Sequence, residues 1–406
     1  MIEHSQLLEL AKLHGTPLYV YDADQVVENY RSLYRFINYD KLQIHYALKA
    51  NYNIALLKAL RDCGSGLDTV SPGEVHLALA LGFDRSKIIF TANNLKDEEV
   101  DEVQSLNVLF NIGSTSRLEK YGKRYPGSRV CVRFNPDVVD GENAATATGG
   151  DLAKFGILMQ DVDKVVDIAR KYDLKIVGLH EHTGSGLQHT ESVFQSMKNL
   201  MSLATVERFP DLEFMDFGGG FKVPYKPGEE RVDYTVMGAE ITRLFKEFCL
   251  QYGRDLELKF EPGKYMVAEA GVMLTTVNTL KFNRTRTIAG CDAGFPQLIR
   301  PVFYGAYHRI ENISNPAGAE KIYDVCGNIC ETGDRFAEQR ELPEIREYDV
   351  LAIYNAGAYC YSMGGIYNLR SMPGEVVVSG NKAELIRKRK SNSELVAELL
   401  NDSVQQ

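Results

Sequence analysis

The chain has 406 residues, well past the length at which one hydrophobic core stops growing, so two domains are expected. Composition is that of a globular protein, 44% hydrophobic and 25% charged, and a net charge of -9 argues against a surface for nucleic acid or anionic membrane. The opening Met1-Ile2-Glu3-His4-Ser5-Gln6 has an acid and no basic segment, so no secretory signal is expected. No apolar run approaches the roughly 20 residues that span a bilayer. The seven cysteines (Cys63, Cys131, Cys249, Cys291, Cys326, Cys330 and Cys360) are odd in number and lack a Cys-x-x-Cys pair, the pattern of a reduced cytoplasmic protein.

In chain order, an apolar run over 18–21 comes first and is expected to pair into a domain completed far downstream. From about residue 40 to residue 262, short apolar runs alternate with amphipathic stretches. The predicted strands are 43–48, 66–70, 87–90, 107–111, 129–134, 175–180, 213–217 and 257–261, with helical patterns such as 53–63, 72–81, 96–105, 161–171 and 234–252 between them. About eight βα units in a row predict an α/β fold, a TIM (β/α)8 barrel, with a doubly wound sheet as the alternative. Residues 137–150 form a long loop rich in Gly, Ala and Thr, a candidate lid. After about residue 268, β-like runs at 274–280, 285–288, 321–325, 350–354 and 375–379 are split by Gly and Pro turns and predict a mostly antiparallel β-domain. The charged tail over 384–400 reads as helical. The expected division is a barrel over 22–267 and a β-domain built from 1–21 plus 268–406.

The predicted barrel strands end in chemistry. Ile44-His45-Tyr46-Ala47-Leu48-Lys49-Ala50-Asn51 ends a buried type of strand in a lysine. Such a lysine is either a solvated cap or a desolvated amine of lowered pKa, available to attack an aldehyde or ketone. The later ends supply Asp68, Asn93, Asn111, Asn135, His180 with His182, Gly218-Gly219-Gly220 and Glu261. Barrel enzymes build their sites on this face, so the collective pattern predicts one site. The triple glycine is a tight turn or a cradle of backbone N–H groups for phosphate. His180-Glu181-His182 is a zinc pair with Glu181 as base, although further ligands are missing, or a flat imidazole over an aromatic cofactor with Ser185 on its phosphate. Glu261 in Glu261-Pro262-Gly263-Lys264 needs a cation, either Lys264 or a protonated ring nitrogen. Lysine, cradle, imidazole and carboxylate converge on pyridoxal phosphate, with no metal.

With these motifs the chain resembles the fold-type III, alanine racemase-like pyridoxal phosphate enzymes, and among them the diaminopimelate decarboxylase family. Further matches are Gly66-Leu67-Asp68-Thr69-Val70-Ser71, Lys154-Phe155-Gly156 and His182-Thr183-Gly184-Ser185-Gly186. Downstream, Arg300-Pro301-Val302-Phe303-Tyr304-Gly305-Ala306, Cys330-Glu331-Thr332-Gly333-Asp334 and Asn355-Ala356-Gly357-Ala358-Tyr359 also match. The resemblance runs from near Pro17 to near residue 390.

The resemblance implies decarboxylation of meso-2,6-diaminopimelate at its D-configured centre to L-lysine and carbon dioxide, the last step of lysine biosynthesis. Lys49 would attach to the cofactor, His182 stack on its ring and Glu261 pair with the ring nitrogen. Asp68, Gly263 and Lys264 would complete the cofactor site, and Ser185, Gly219, Gly220 and Tyr359 would bind the phosphate. Cys330 would be the acid that returns a proton to the substrate carbon. Arg300 and Tyr304, with Lys264 and Tyr359, would bind substrate, and Glu331 would hold the distal ammonium. The family usually has arginine at position 264; lysine keeps the charge and loses the planar fork. Residues 71–74 and 364–366 also depart from the common spelling. A homodimer with shared sites is implied, Cys330 and Glu331 reaching the partner's cofactor. The alternatives are a related decarboxylase of ornithine, arginine or carboxynorspermidine, a racemase, which Glu261 disfavours, and an inactive binding relative, which the presence of Lys49, Cys330 and Glu261 disfavours.

Overall fold

The computed structural model describes residues 2–141, 150, 153–187 and 189–402. Most of the candidate lid, residues 142–149, lies outside the described residues. The first strand, β1 (Leu18–Asp22), is followed by β2 (Leu42–Ala47), β3 (Gly66–Thr69), β4 (Ile88–Thr91), β5 (Leu109–Ile112) and β6 (Arg129–Asn135). Next come β7 (Ile157–Leu158), β8 (Lys175–His180), β9 (Phe214–Asp216) and β10 (Glu257–Phe260). Strands β2 to β6 pair in sequence, β6 continues to β8, β9 and β10, and β10 returns to β2, all in parallel. The result is a closed eight-stranded barrel, with β7 paired to β6 outside the circuit. The doubly wound alternative is thereby set aside.

Strand alternation decides what faces the barrel interior. In β6, Val130, Val132 and Phe134 join the core beneath the helices, while Cys131 packs inside with Ile89, Val177 and Phe214. Two residues on, Arg133 shares the face of Cys131. The same period puts Lys49 in line with His45 and Ala47, and Glu261 in line with Lys259. Helices Ile54–Asp62, Pro72–Ala80, Asp97–Ser105, Thr115–Arg124, Val162–Tyr172, Thr190–Leu203 and Tyr234–Tyr252 cover the outside. Only the four-residue helix Lys264–Val267 follows β10. The open place in the ring is taken by Ala23–Phe36, which precedes the first barrel strand and packs on both Ile54–Asp62 and Tyr234–Tyr252.

The second sheet comprises β1, β11 (Gly271–Asn283), β12 (Arg286–Cys291), β13 (Ile310–Asn312), β14 (Glu320–Cys326), β15 (Arg335–Pro343), β16 (Val350–Ile353), β17 (Gly374–Ser379) and β18 (Lys382–Arg387). It is mostly antiparallel; β1–β17 and β12–β14 are its parallel pairs among the described residues. As expected, β1 sits within this sheet, between β11 and β17. Its alternation is legible: Leu18 and Val20 join a cluster with Leu7, Leu10, Leu274 and Val376 under the N-terminal helix His4–His14, while Tyr19 and Tyr21 face the main core. The expectation of a helical tail over 384–400 is corrected. Lys382–Arg387 is a strand in a hairpin with β17, and the helix is Asn392–Asn401, capped by Ser391. Register with β17 supplies backbone hydrogen bonds to a segment whose charged composition carries little strand signal of its own.

Candidate active site

Contacts between the barrel and the β-domain set the position of Lys49. β2 ends at Ala47, one residue earlier than expected, and Lys49 sits in a tight turn, Leu48–Ala50. That turn is tied to the β-domain: Tyr359 N–H and Ser362 Oγ donate to Ala50 O at 2.8 and 3.0 Å, and Asn51 Nδ2 donates to Gly357 O at 2.8 Å. A shift of the β-domain would therefore move Lys49.

Lys49 opens onto a cavity of about 440 Å³ at the C-terminal mouth of the barrel. Its lining includes Lys49, His182, Ser185 and Glu261, together with Lys264, Arg300, Tyr304 and Tyr359, and with Thr91, Asn93, Arg133, Lys154 and Phe155. A small recess beside it is bordered by Gly219, Gly220, Gly263, Ser185, Tyr359 and Lys264, among others. A Cβ on Gly219 would stand 2.6 Å from Glu261 O, and Gly220 has φ +101°, so glycine is required at both. A Cβ on Gly263 would meet Tyr359 Oη at 3.0 Å.

Lys49 Nζ lies 2.5 Å from Asp68 Oδ2. The expectation of a lowered lysine pKa is corrected here. Burial pulls the amine down, but the Asp68 carboxylate, with Tyr359 and Glu261 behind it, outweighs burial and holds the ammonium above its ordinary range. Asp68 itself is fully buried and pushed up, first by burial and then by Glu261, with Lys49 opposing.

Glu261 is also buried, and its Oε2 accepts from His180 Nε2 at 3.0 Å. Burial raises the carboxyl, while Lys49 and Arg133 draw it back toward the ionised form. The neighbouring Asp216 is raised well above the ordinary carboxylate range, first by burial and then by the Glu261 charge, so the two carboxyls titrate as a pair. Burial, with Arg133 next, keeps His180 neutral, so its Nε2–H is the donor to Glu261. His182 is neutral too, again through burial first and Arg133 next. Its Nδ1 accepts Gly219 N–H at 3.1 Å, which leaves the ring proton on Nε2. Beside it, burial pushes Glu181 up to about 7.

The pairing of His180 with His182 as metal ligands does not occur: His182 turns to Gly219. His180, Asp216 and Glu261 do bring one donor atom each within 4.8 Å of one another. Those donors are engaged with one another and with Gly218 N–H, which donates to Asp216 Oδ1 at 2.9 Å.

The strand-end asparagines divide. Asn93 lines the cavity, Asn111 is buried and donates to Thr91 Oγ1 at 3.1 Å, and Asn135 is buried against the backbone of Gly150. Cys330 and Glu331 lie outside the cavity of their own chain, exposed, with Cys330 N–H on Asn368 Oδ1 and Glu331 Oε1 accepting from Tyr367 Oη at 2.9 Å.

Sequence reasoning passed over Arg133, Asp216 and Tyr225. Arg133 carried the same signal as Lys49, a cation inside an otherwise apolar strand; its guanidinium lies 4.8 Å from the Phe155 ring centre. Asp216 sits directly before Phe217 and the triple glycine. Tyr225 carried no local signal; its hydroxyl accepts from Arg300 Nη1 at 3.0 Å.

These residues fit pyridoxal phosphate. Among the described residues, Glu261 Oε1 and Asp68 Oδ1 are buried without a hydrogen-bond partner, so each needs a donor that a ligand could bring. The glycine recess beside Lys49 admits a group that any Cβ would exclude. Barrel, lysine, cradle and buried carboxylate thus define a pyridoxal phosphate-dependent enzyme. The comparisons agree. Residues 23–268 match the family model of the pyridoxal-dependent decarboxylase pyridoxal-binding domain. The chain is 42% identical to the diaminopimelate decarboxylase of Methanothermobacter thermautotrophicus, over 98% of this chain and 94% of that protein. It is 34% identical to that of Escherichia coli K12, over 96% and 95%. The crystal structure of the Helicobacter pylori diaminopimelate decarboxylase complexed with L-lysine superposes with a TM-score of 0.89 at 31% identity, covering 98% of this chain and 100% of that one. The chain belongs to the diaminopimelate decarboxylase family.

Proposed function

We propose that this chain decarboxylates meso-diaminopimelate to L-lysine and carbon dioxide, with pyridoxal phosphate as cofactor. One observation carries the reading: a single cavity brings Lys49, His182 and Glu261 together with Lys264, Arg300 and Tyr304. A ligand spanning it has an amine at the reacting end and a carboxylate at the other. Bound pyridoxal phosphate supplies the electron sink that accepts the bonding pair as carbon dioxide leaves.

The protein's residues would do the rest. Lys49 would attach to the cofactor and take its proton balance from Asp68. His182 would lie flat against the ring, held by Gly219 N–H, and Glu261 would keep the ring nitrogen protonated. Ser185, Gly219, Gly220 and Tyr359 would bind phosphate, with Gly263 giving Tyr359 room. Arg300, Tyr304 and Lys264 would bind the distal carboxylate, the arginine by its two-pronged fork. The related diamine decarboxylases have no second carboxylate to pair with Arg300.

The test is carbon dioxide release from the holoenzyme with meso-diaminopimelate, ornithine and arginine in parallel. Release with diaminopimelate alone, and lysine as product, supports the assignment; release only with another amino acid overturns it.

The exposed Cys330 and Glu331 support a homodimer in which each subunit completes the other's site, Cys330 as proton donor and Glu331 on the distal ammonium. Mixing Lys49→Ala with Cys330→Ala protein should then restore about one quarter of wild-type activity at random exchange. No recovery in confirmed mixed dimers would sink the arrangement. The division into a barrel over 22–267 and a β-domain from 1–21 plus 268–406 places both exposed residues on the β-domain. A cytoplasmic location fits the unpaired cysteines; no helix among the described residues is long and apolar enough to cross a membrane.

A further inference from the structure

Two cations that line the cavity, Lys264 and Arg300, share one aromatic ring. Tyr225 lies in Val223-Pro224-Tyr225, beyond the triple glycine, and does not itself line the cavity. Its ring centre is 4.8 Å from the guanidinium carbon of Arg300 and 5.7 Å from Lys264 Nζ. Its hydroxyl accepts the Arg300 Nη1 hydrogen bond at 3.0 Å. Both cations are buried, Lys264 at 5% and Arg300 at 3% exposure.

The segment that carries the ring is held at its backbone, and the ring itself packs on an imidazole. Tyr225 N–H and Lys226 N–H donate to Glu229 Oε2 at 2.8 and 3.2 Å. Asn355 Nδ2, from the β-domain, donates to Pro224 O at 2.9 Å. His308 meets the ring edge-on, centroids 5.5 Å apart at 89°, and burial with the nearby Arg300 keeps that imidazole neutral, so it adds no third charge. A clamped aromatic face attracts both cations, and its hydroxyl sets the plane of the arginine fork.

We propose that Tyr225 is a positioning residue for the distal carboxylate: it orders Lys264 and Arg300 as a pair and so makes the site prefer ligands that carry a carboxylate there. The inference rests on the substrate reading above and deepens it. A lysine at 264 lacks the planar fork and depends more on a neighbour to hold its ammonium in place.

The experiment uses holoenzyme with Tyr225→Phe, which keeps the ring, and Tyr225→Leu, which removes it. Calorimetric affinities are measured for L-lysine and for cadaverine, which has the same carbon chain without the carboxylate, beside kcat and KM for meso-diaminopimelate. Tyr225→Phe should weaken lysine binding and raise KM about fivefold, Tyr225→Leu about fiftyfold, with cadaverine affinity and kcat within about twofold of wild type. An unchanged lysine-to-cadaverine ratio in both variants overturns the proposal, as does an equal loss for both ligands, which marks a purely structural role. A wild-type enzyme with no preference for lysine overturns it as well. Failure of the substrate reading is recognised separately, as absence of carbon dioxide release from diaminopimelate by wild type.

Discussion

Replacing Glu261 with glutamine separates charge from shape at the centre of the site. The amide keeps an oxygen that can accept from His180 Nε2, now 3.0 Å from the carboxylate, and changes the side-chain volume little. What disappears is the negative charge that faces Lys49, Arg133 and the proposed ring nitrogen. A hydrogen bond to a charged partner is worth about 1.5–3 kcal/mol net. If that difference is expressed in the transition state, kcat should fall by roughly 10- to 150-fold at about 1.4 kcal/mol per tenfold. Protein stability should change far less, because relief of the buried carboxylate's desolvation offsets the lost attraction to Arg133 and Lys49. The assay is steady-state carbon dioxide release at saturating substrate and cofactor, with melting of the apoprotein by calorimetry alongside. Wild-type kcat in Glu261→Gln would refute the role assigned to the charge. A large fall in melting temperature would refute the balance argued for the buried network.

Glu181, buried with its pKa pushed from 4.5 up to about 7, stays protonated in the folded protein to about pH 7, so the stability present below pH 4.5 is lost as pH rises through 7. Wild-type apoprotein should therefore lose about 2 kcal/mol from this group between pH 5.5 and 8; Glu181→Gln should show a flatter melting-temperature profile, and parallel profiles would contradict the assignment. Gly219→Ala places a Cβ 2.6 Å from Glu261 O, so absorbance titration should show weakened pyridoxal phosphate binding, together with a stability loss of about 1–3 kcal/mol. Arg300→Lys retains charge without the fork and should raise KM for meso-diaminopimelate about tenfold with kcat little changed; an unchanged KM would remove Arg300 from the carboxylate subsite.

Much of this protein is written in local pattern. Parallel strands buried on both faces appear as short apolar runs, and all eight barrel strands were placed to within one or two residues by that signal. Period-two alternation then sends Asp68 to the interior, Lys49 and Glu261 follow directly on strand ends, and Gly218-Gly219-Gly220 announces a close approach of backbone to something. The strands β15 and β18 escaped because their residues are polar and only pairing with β14 and β17 makes them strands. Charge states escaped for a related reason. The sign of the Lys49 shift depends on Asp68, 19 residues away and 2.5 Å distant, and the upward shift of Asp216 depends in part on Glu261. Tyr225 acquires its place between Lys264 and Arg300 only when β-domain and barrel close on each other. Backbone periodicity is a property of neighbours in the chain and is legible there. Electrostatics and shared faces belong to neighbours in space, and for this protein the tertiary structure alone decided them.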